Sequence, residues 1–160
     1  SFPSLLLAMA IMLTLGNDPV NIVIALGLVW TPRTARVARG STLSIREESY
    51  IDAAHSIGTP TWKIMARHIL PNILPSLAVQ MTFVFAYAVL AEAGLSFIGL
   101  GVQPPTPSLG NIIGAARSMI RQGPWLTFFP GGCIFLTVMS INLIGDGLRE
   151  LLDPKRKILT

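Results

Sequence analysis

The side chains with the chemistry to catalyse a reaction are few and lie far apart along the chain. Ser96 and Ser140 fall in or near apolar stretches, whereas both histidines, His55 and His68, fall in a charged loop. A hydrolase needs a nucleophile and a base within hydrogen-bond reach. No Gly-x-Ser-x-Gly turn marks a nucleophile, because Gly94-Leu-Ser96 continues into Phe-Ile. The sequence therefore predicts that the chain is not an enzyme.

Metal and nucleotide sites are not predicted either. The chain has a single cysteine, Cys133, and two histidines, which cannot build a disulfide framework, a cysteine metal site or a histidine cluster within the chain. No Gly-x-x-x-x-Gly-Lys-Ser/Thr phosphate loop is present. We therefore expect no metal and no cofactor in this chain.

One carboxyl group stands in apolar surroundings. Glu92 interrupts a long apolar stretch, where a charge at the centre of a bilayer would cost about 3 kcal/mol or more. Such a side chain faces protein or water. Two interpretations stay open: Glu92 lines a translocation pathway and contacts a substrate amine, or neighbouring helices satisfy its carboxyl group. It is kept as a candidate pathway residue.

The composition indicates a membrane protein. Charged residues make up 12% of the 160 residues, about half the share usual in soluble domains, and the mean hydropathy is +0.61. The whole chain, residues 1–160, is expected to form a single transmembrane domain. It begins without Met or a basic flank, which predicts an N-terminally truncated fragment. The predicted spans cover residues 2–15, 19–32, 73–100 and 125–145.

The basic residues predict the orientation of these spans. Six of the twelve lie between residues 31 and 71, four follow residue 145, and two lie in the segment 101–124. Positive charge favours the cytoplasmic side. Loop 33–70 and the C-terminal tail are therefore predicted to be cytoplasmic, and segment 101–124 external. The net charge of +4 is then explained by topology, and we expect no nucleic-acid partner.

The cytoplasmic loop, residues 44–71, carries signals for two short helices. Ser44-Ile-Arg-Glu47 fits a capping box at the start of the first helix, which is predicted to end near Ile57. Gly58 follows where a left-handed residue is needed.

The second helix is predicted to begin at Thr59-Pro60, as an N-cap and a first-turn proline. It ends near Leu70, and Pro71 starts the next membrane segment. Tyr50, Ala53, Ala54 and Ile57 are expected to share one side of the first helix. Such a helix pair suits a partner's groove, or equally an amphipathic position on lipid headgroups.

The loop resembles the signature of ABC-importer permeases. In that family Glu-Ala-Ala is followed after three residues by Gly, then after nine by Ile-x-Leu-Pro. Here Asp52 replaces Glu and His68 replaces Ile, while the spacing is kept. The residues that match the signature are Asp52, Ala53, Ala54, Gly58, Leu70 and Pro71. Stretches 91–101, 101–107 and 142–149, with Asp153-Pro154, resemble the dipeptide/oligopeptide/nickel subfamily.

The resemblance implies an all-α polytopic helix bundle of the type I ABC-importer permease kind in the bacterial inner membrane. Its loop would be a coupling helix–turn–helix, with the six matching residues at the contact. The implied partners are a second permease subunit, two ABC ATPase subunits that bind the ATP, a solute-binding protein and the lipid bilayer. Peptides are the implied cargo, and nickel or another small solute is the alternative. A channel or secondary carrier without an ATPase is the rival of another class.

Overall fold

The structure, a computed structural model, describes residues 3–152 as helices joined by short connections. This described part contains no β-strand, which confirms the predicted all-α fold. The α-helices are α1 (Ser4–Leu15), α2 (Pro19–Arg46), α3 (Ser49–Ser56), α4 (Thr61–Ile64), α5 (Leu70–Phe97), α6 (Leu109–Ala116) and α7 (Trp125–Leu152). A π-helical turn (Met65–Ile69) precedes α5, and a 3-10 turn (Arg117–Met119) follows α6. Of the predicted basic tail, Arg149 lies on α7, and residues 153–160, with Asp153-Pro154, lie outside the described residues.

The chain divides into two compact units, the first built from residues 3–31 and 84–142. Its core lies where α1, the start of α2 and the end of α5 meet. The buried side chains of that core are Ala8, Met12, Ile22, Ala25, Leu26, Ala91, Leu95 and Val102.

Within this unit, the turn between α1 and α2 is closed by polar side chains. Gly16 has a φ of 88°, which glycine adopts without a steric penalty. The Asp18 Oδ1 atom accepts a hydrogen bond from the Val20 amide at 2.9 Å, and Pro19 takes the first helical position. The Asn21 amide group donates to the Leu15 carbonyl at 2.6 Å, so the last turn of α1 is also satisfied.

Helix α2 is much longer than predicted. The prediction of a span at 19–32 followed by a loop is wrong beyond Pro32, because the helix continues to Arg46. A proline inside a helix costs a backbone hydrogen bond. The alanines and arginines that follow Pro32 are strong helix formers and favour continuation. The arginines at 33, 36 and 39 therefore lie on a helix.

The second unit contains residues 32–83 and 143–152, and two predicted helix starts within it are wrong. Ser44 lies inside α2, so Ser44 and Glu47 do not form a capping box. A turn follows instead, in which the Glu48 amide donates to the Ile45 carbonyl at 3.1 Å, and α3 begins at Ser49. Pro60, not Thr59, is the N-cap of α4; its carbonyl accepts from the Lys63 and Ile64 amides.

The second short helix does not end before the next apolar segment. Helical backbone runs without a break from Thr61 to Phe97 through the π turn. In an α-helix the Pro71 ring would meet the carbonyl four residues earlier, and the wider π turn relieves that conflict. The Leu70 amide accordingly donates to Met65, five residues back. Leu70 stays in the right-handed helical region, contrary to the restriction expected before proline.

Two helical segments are long and apolar enough to cross a membrane, Thr61–Phe97 with 37 residues and Trp125–Leu151 with 27. Ser4–Leu15 is apolar but shorter. The third span was predicted at residues 73–100, whereas α5 covers Leu70–Phe97. Both predicted bounds therefore differ from those of the helix by three residues toward the C-terminus. The four-span topology itself stays a prediction.

Candidate coupling hairpin

The loop residues fold into a helix–turn–helix, α3–turn–α4 (residues 49–64), called here the coupling hairpin. Gly58 has a φ of 77°, which confirms the predicted left-handed residue. The Gly58 amide donates to the His55 carbonyl at 2.9 Å, and the Thr59 amide to the Ala54 carbonyl at 3.1 Å. This pair of bonds is a Schellman motif, which satisfies carbonyls at the end of α3.

The inner side of the hairpin is a small aliphatic cluster. Ile51, Ala54 and Ile64 are buried together, with Ile45 and Ile69 packed against them. Of the four residues predicted to share one side of the first helix, only Ala54 is buried in this cluster, and the other three, Tyr50, Ala53 and Ile57, are exposed. The inward pair is Ile51 and Ala54, three residues apart on α3, which is the spacing of neighbours on one helix face.

The outer surface of the hairpin carries three of the six signature residues. Asp52, Ala53 and Gly58 are exposed. Two large apolar side chains stand out beside them: Ile57 is 81% exposed and Trp62 is 71% exposed. Exposed apolar side chains of this size suit a surface that is covered by a partner or by lipid.

The base of the hairpin is fixed to the start of α5 by Tyr50. Its hydroxyl accepts a hydrogen bond from the Asn72 side-chain amide at 3.4 Å, and its ring lies 6.2 Å from that of His68. Asn72 also donates to the His68 carbonyl at 2.6 Å, beside the proline. Leu70 and Pro71, the last two signature positions, lie exposed at this junction and not on the hairpin.

Glu92 lies near the end of α5 in the other unit. It is half-buried, and its Oε1 atom accepts a hydrogen bond from the Ser96 hydroxyl at 2.7 Å. Ser96 is only 3% exposed and accepts in turn from the Val102 amide at 3.2 Å. The carboxyl group is thus engaged by its own helix one turn later.

Helix α6 packs closely against that end of α5. A methyl group added at Gly110 would collide with the Ala93 backbone, and one at Gly114 would lie 3.2 Å from the Phe97 carbonyl. The two glycines, four residues apart, occupy one face of α6, as in close helix pairs. Residues 92–116 are called here the α5–α6 corner. Between α5 and α6 the chain makes a turn at Pro104-Pro105.

Sequence reasoning missed three contributors to these sites. Trp62 was not assigned, although a tryptophan beside the signature loop is a signal for a contact residue. Ser96 was considered only as a nucleophile, although its spacing from Glu92 is that of a helical side-chain pair. Ile51 was overlooked because it falls between the named residues of α3.

Residues 3–152 contain no candidate metal site, because no three His, Cys, Asp or Glu side chains lie close together there.

Long apolar helices with a helix–turn–helix beside them define an all-α membrane helix bundle of the type I ABC-importer permease class. The chain belongs to the family of binding-protein-dependent transport system inner membrane components, which matches residues 1–158.

Relatives with similar sequences carry transport names. A peptide transport system permease protein of Brucella suis biovar 1 (strain 1330) is 48% identical over 158 residues, which are 99% of this chain and 53% of the relative. The glutathione transport system permease protein GsiD of Escherichia coli O1:K1 / APEC is 43% identical over 157 residues, 98% of this chain and 52% of the relative. The chain thus spans about half the length of these relatives.

Proposed function

We propose that this chain is part of the permease of an ATP-driven importer that carries small peptides inward across the bacterial inner membrane. It would form the pore with a second permease subunit. Two ATPase subunits would bind and hydrolyse the ATP, and a solute-binding protein would deliver the cargo. Family membership supports the general class, and the names of the relatives support peptides, glutathione being itself a small peptide.

The observation that carries the proposal is the coupling hairpin. Its inner cluster and the Schellman turn hold the two helices together without help from the outer residues. Asp52, Ala53, Ile57 and Trp62 are therefore left at the surface, with no internal packing role among the described residues. A rigid, short helix pair with a small-residue face fits a groove on a partner subunit.

The hairpin is also well placed to pass on a movement. It leads through a continuous helical path from Thr61 to Phe97 into the longest apolar segment of the structure. A displacement of the hairpin by ATPase closure would reach the membrane helix through the π turn and the Tyr50–Asn72 contact. The basic residues of loop 33–70 support a cytoplasmic position, where an ATPase is accessible.

Three alternatives are separated by experiment. The same importer architecture could carry nickel or another small solute. The exposed Ile57 and Trp62 would also suit a hairpin that lies on lipid headgroups. A channel or secondary carrier would need no ATPase at all. An importer of either cargo requires that the hairpin touch an ATPase, whereas a hairpin on lipid headgroups and a channel or carrier do not.

Cysteine cross-linking in inside-out vesicles tests the proposal. In a Cys133→Ser background, a single cysteine replaces Asp52 or Ala53, and the vesicles contain the complete complex with its ATPase. The matched control is Ala54→Cys, because Ala54 is 8% exposed and lies in the inner cluster. We expect ATPase adducts at positions 52 and 53 that change when ATP is added, and none at 54. Labelling of 52 and 53 by lipid-side reagents, without an ATPase adduct, would contradict the proposal.

A further inference from the structure

A single buried hydroxyl links the end of α5 to the segment that leads into α6. Ser96 donates its hydroxyl proton to the Glu92 Oε1 atom, and its oxygen accepts a hydrogen bond from the Val102 amide. Glu92 therefore acts as an acceptor in this arrangement. Without the Glu92 oxygen, the Ser96 hydroxyl would lose the acceptor that it has in this structure.

The hydrogen-bonded chain continues into α6. The Val102 carbonyl accepts from the Asn111 side-chain amide at 2.6 Å. Asn111 lies in the first turn of α6, where its backbone amide is capped by the Ser108 hydroxyl at 3.2 Å. A continuous series of contacts thus runs from Glu92 through Ser96 and Val102 to the start of α6.

The corner leaves no room for these groups to shift. A methyl group added at Gly101 would collide with the side chain and backbone of Ser96, and one at Gly110 would lie 2.7 Å from the Ser96 Cβ atom. Ser96 is therefore enclosed by backbone on two sides. In a site this tight, a side chain holds one rotamer, and the loss of its hydrogen bond is not absorbed by relaxation.

We propose that Glu92 is a positioning residue, which holds α6 on the end of α5 by accepting the hydrogen bond of Ser96. What the corner needs from Glu92 is an oxygen acceptor and not a negative charge. One consequence of this inference rests on the proposed transport function. It is that α6 and the end of α5 would move as one body when the permease opens and closes. In the alternative role, the negative charge of Glu92 contacts a cationic group of the cargo.

The two roles are separated by the pair Glu92→Gln and Glu92→Ala. Glutamine keeps an oxygen at the Oε1 position and removes the charge, whereas alanine removes both. Glu47→Ala is the matched control, because Glu47 is exposed and lies outside the corner.

The readout is the mobility of a nitroxide label on α6 in the complete complex, measured by electron paramagnetic resonance. The label is attached at Ala115→Cys, an exposed position of α6, in the Cys133→Ser background. A second label at Phe85→Cys on α5 reports changes unrelated to the corner. Uptake of radiolabelled dialanine and of glutathione is measured in parallel, as is ATP hydrolysis.

We expect an immobile α6 label and unchanged uptake in Glu92→Gln. In Glu92→Ala the α6 label becomes mobile, and docking of α6 weakens about tenfold, the effect of removing the acceptor of a buried hydroxyl group. The label at position 85 stays unchanged in both. An immobile α6 label in Glu92→Ala would overturn the inference, as would loss of uptake in Glu92→Gln with the label unmoved. Label mobility needs neither cargo nor ATP hydrolysis, so that result is independent of whether the proposed function holds, whereas the uptake result rests on it.

Discussion

The coupling hairpin and the α5–α6 corner each join two helices, but they are held together differently. Three aliphatic side chains and one left-handed glycine close the hairpin, and its large apolar residues point outward. The corner is closed by glycine contacts and by hydrogen bonds through a buried serine. The hairpin leaves apolar side chains exposed for a partner, whereas in the corner the facing surfaces of α5 and α6 are buried against each other.

This difference predicts where each element tolerates change. Outer residues of the hairpin should be replaceable without loss of structure and with loss of coupling. In the corner, backbone and side chains fill the space around Ser96, so structure and function should fail together. The following predictions are ordered by the size of the expected effect.

The largest effect is expected for Gly101→Ala. The added methyl group would collide with the Ser96 backbone, and overpacking of this kind costs about 3 kcal/mol. Thermal unfolding of the purified complex in detergent measures the loss. The matched control is Gly94→Ala on α5, where an added methyl group meets nothing within 4 Å. Equal unfolding temperatures for the two variants would show that the corner is not tightly packed.

Two isoleucines, Ile51 on α3 and Ile57 at the C-cap of α3, mark the inner and outer sides of the hairpin. Ile51→Ala removes a buried side chain of the inner cluster and should destabilise the hairpin by about 2 kcal/mol. Ile57→Ala should leave its stability unchanged, because that side chain is almost fully exposed. Limited proteolysis of the loop measures the first effect. Faster cleavage of Ile57→Ala than of Ile51→Ala would reverse the assignment of the two sides.

A smaller effect is expected for Gly58→Ala. The left-handed backbone there would cost an alanine about 1–2 kcal/mol, which weakens the turn and not the corner. ATP-driven uptake should fall, while a nitroxide label on α6 stays immobile. Gly58→Asn should lose less, because asparagine tolerates this conformation better than alanine. Identical uptake in all three forms would mean that the turn conformation is not needed for coupling.

The smallest effect is expected for Gly114→Ala. The added methyl group would lie 3.2 Å from the Phe97 carbonyl, a contact that a small shift of α6 relieves. The expected loss is below about 1 kcal/mol, less than for Gly110→Ala, whose methyl group would collide with the Ala93 backbone. Thermal unfolding of the two variants side by side checks the order. A larger loss of stability for Gly114→Ala than for Gly110→Ala would show that Gly110 is not the point where the two helices approach most closely.

The features predicted correctly from sequence are those that depend on near neighbours in the chain. Gly58, predicted as the left-handed residue after the first short helix, is such a local signal and is found. The course of α2 beyond Pro32 was not predictable in this way, because a proline's local preference was overridden by the helix around it.

The features that were missed depend on contacts between elements. The π turn arises where a continuous helix meets Pro71, so it follows only once the two segments are known to be joined. The glycine pair on α6 is visible in the sequence, but its contact surface on α5 is not. The roles of the signature residues stay predictions, since the structure gives their positions alone.

The most direct test of the central claim is uptake and ATP hydrolysis measured together in proteoliposomes for Ala53→Arg. Ala53 is exposed on α3, so an arginine fits without disturbing the hairpin, but it would block a close fit with an ATPase. Ala35→Arg, at an exposed position of α2, is the matched control. If the hairpin couples the permease to an ATPase, Ala53→Arg loses cargo-dependent ATP hydrolysis and uptake, and Ala35→Arg keeps both. Full uptake with normal ATP hydrolysis in Ala53→Arg would contradict the account.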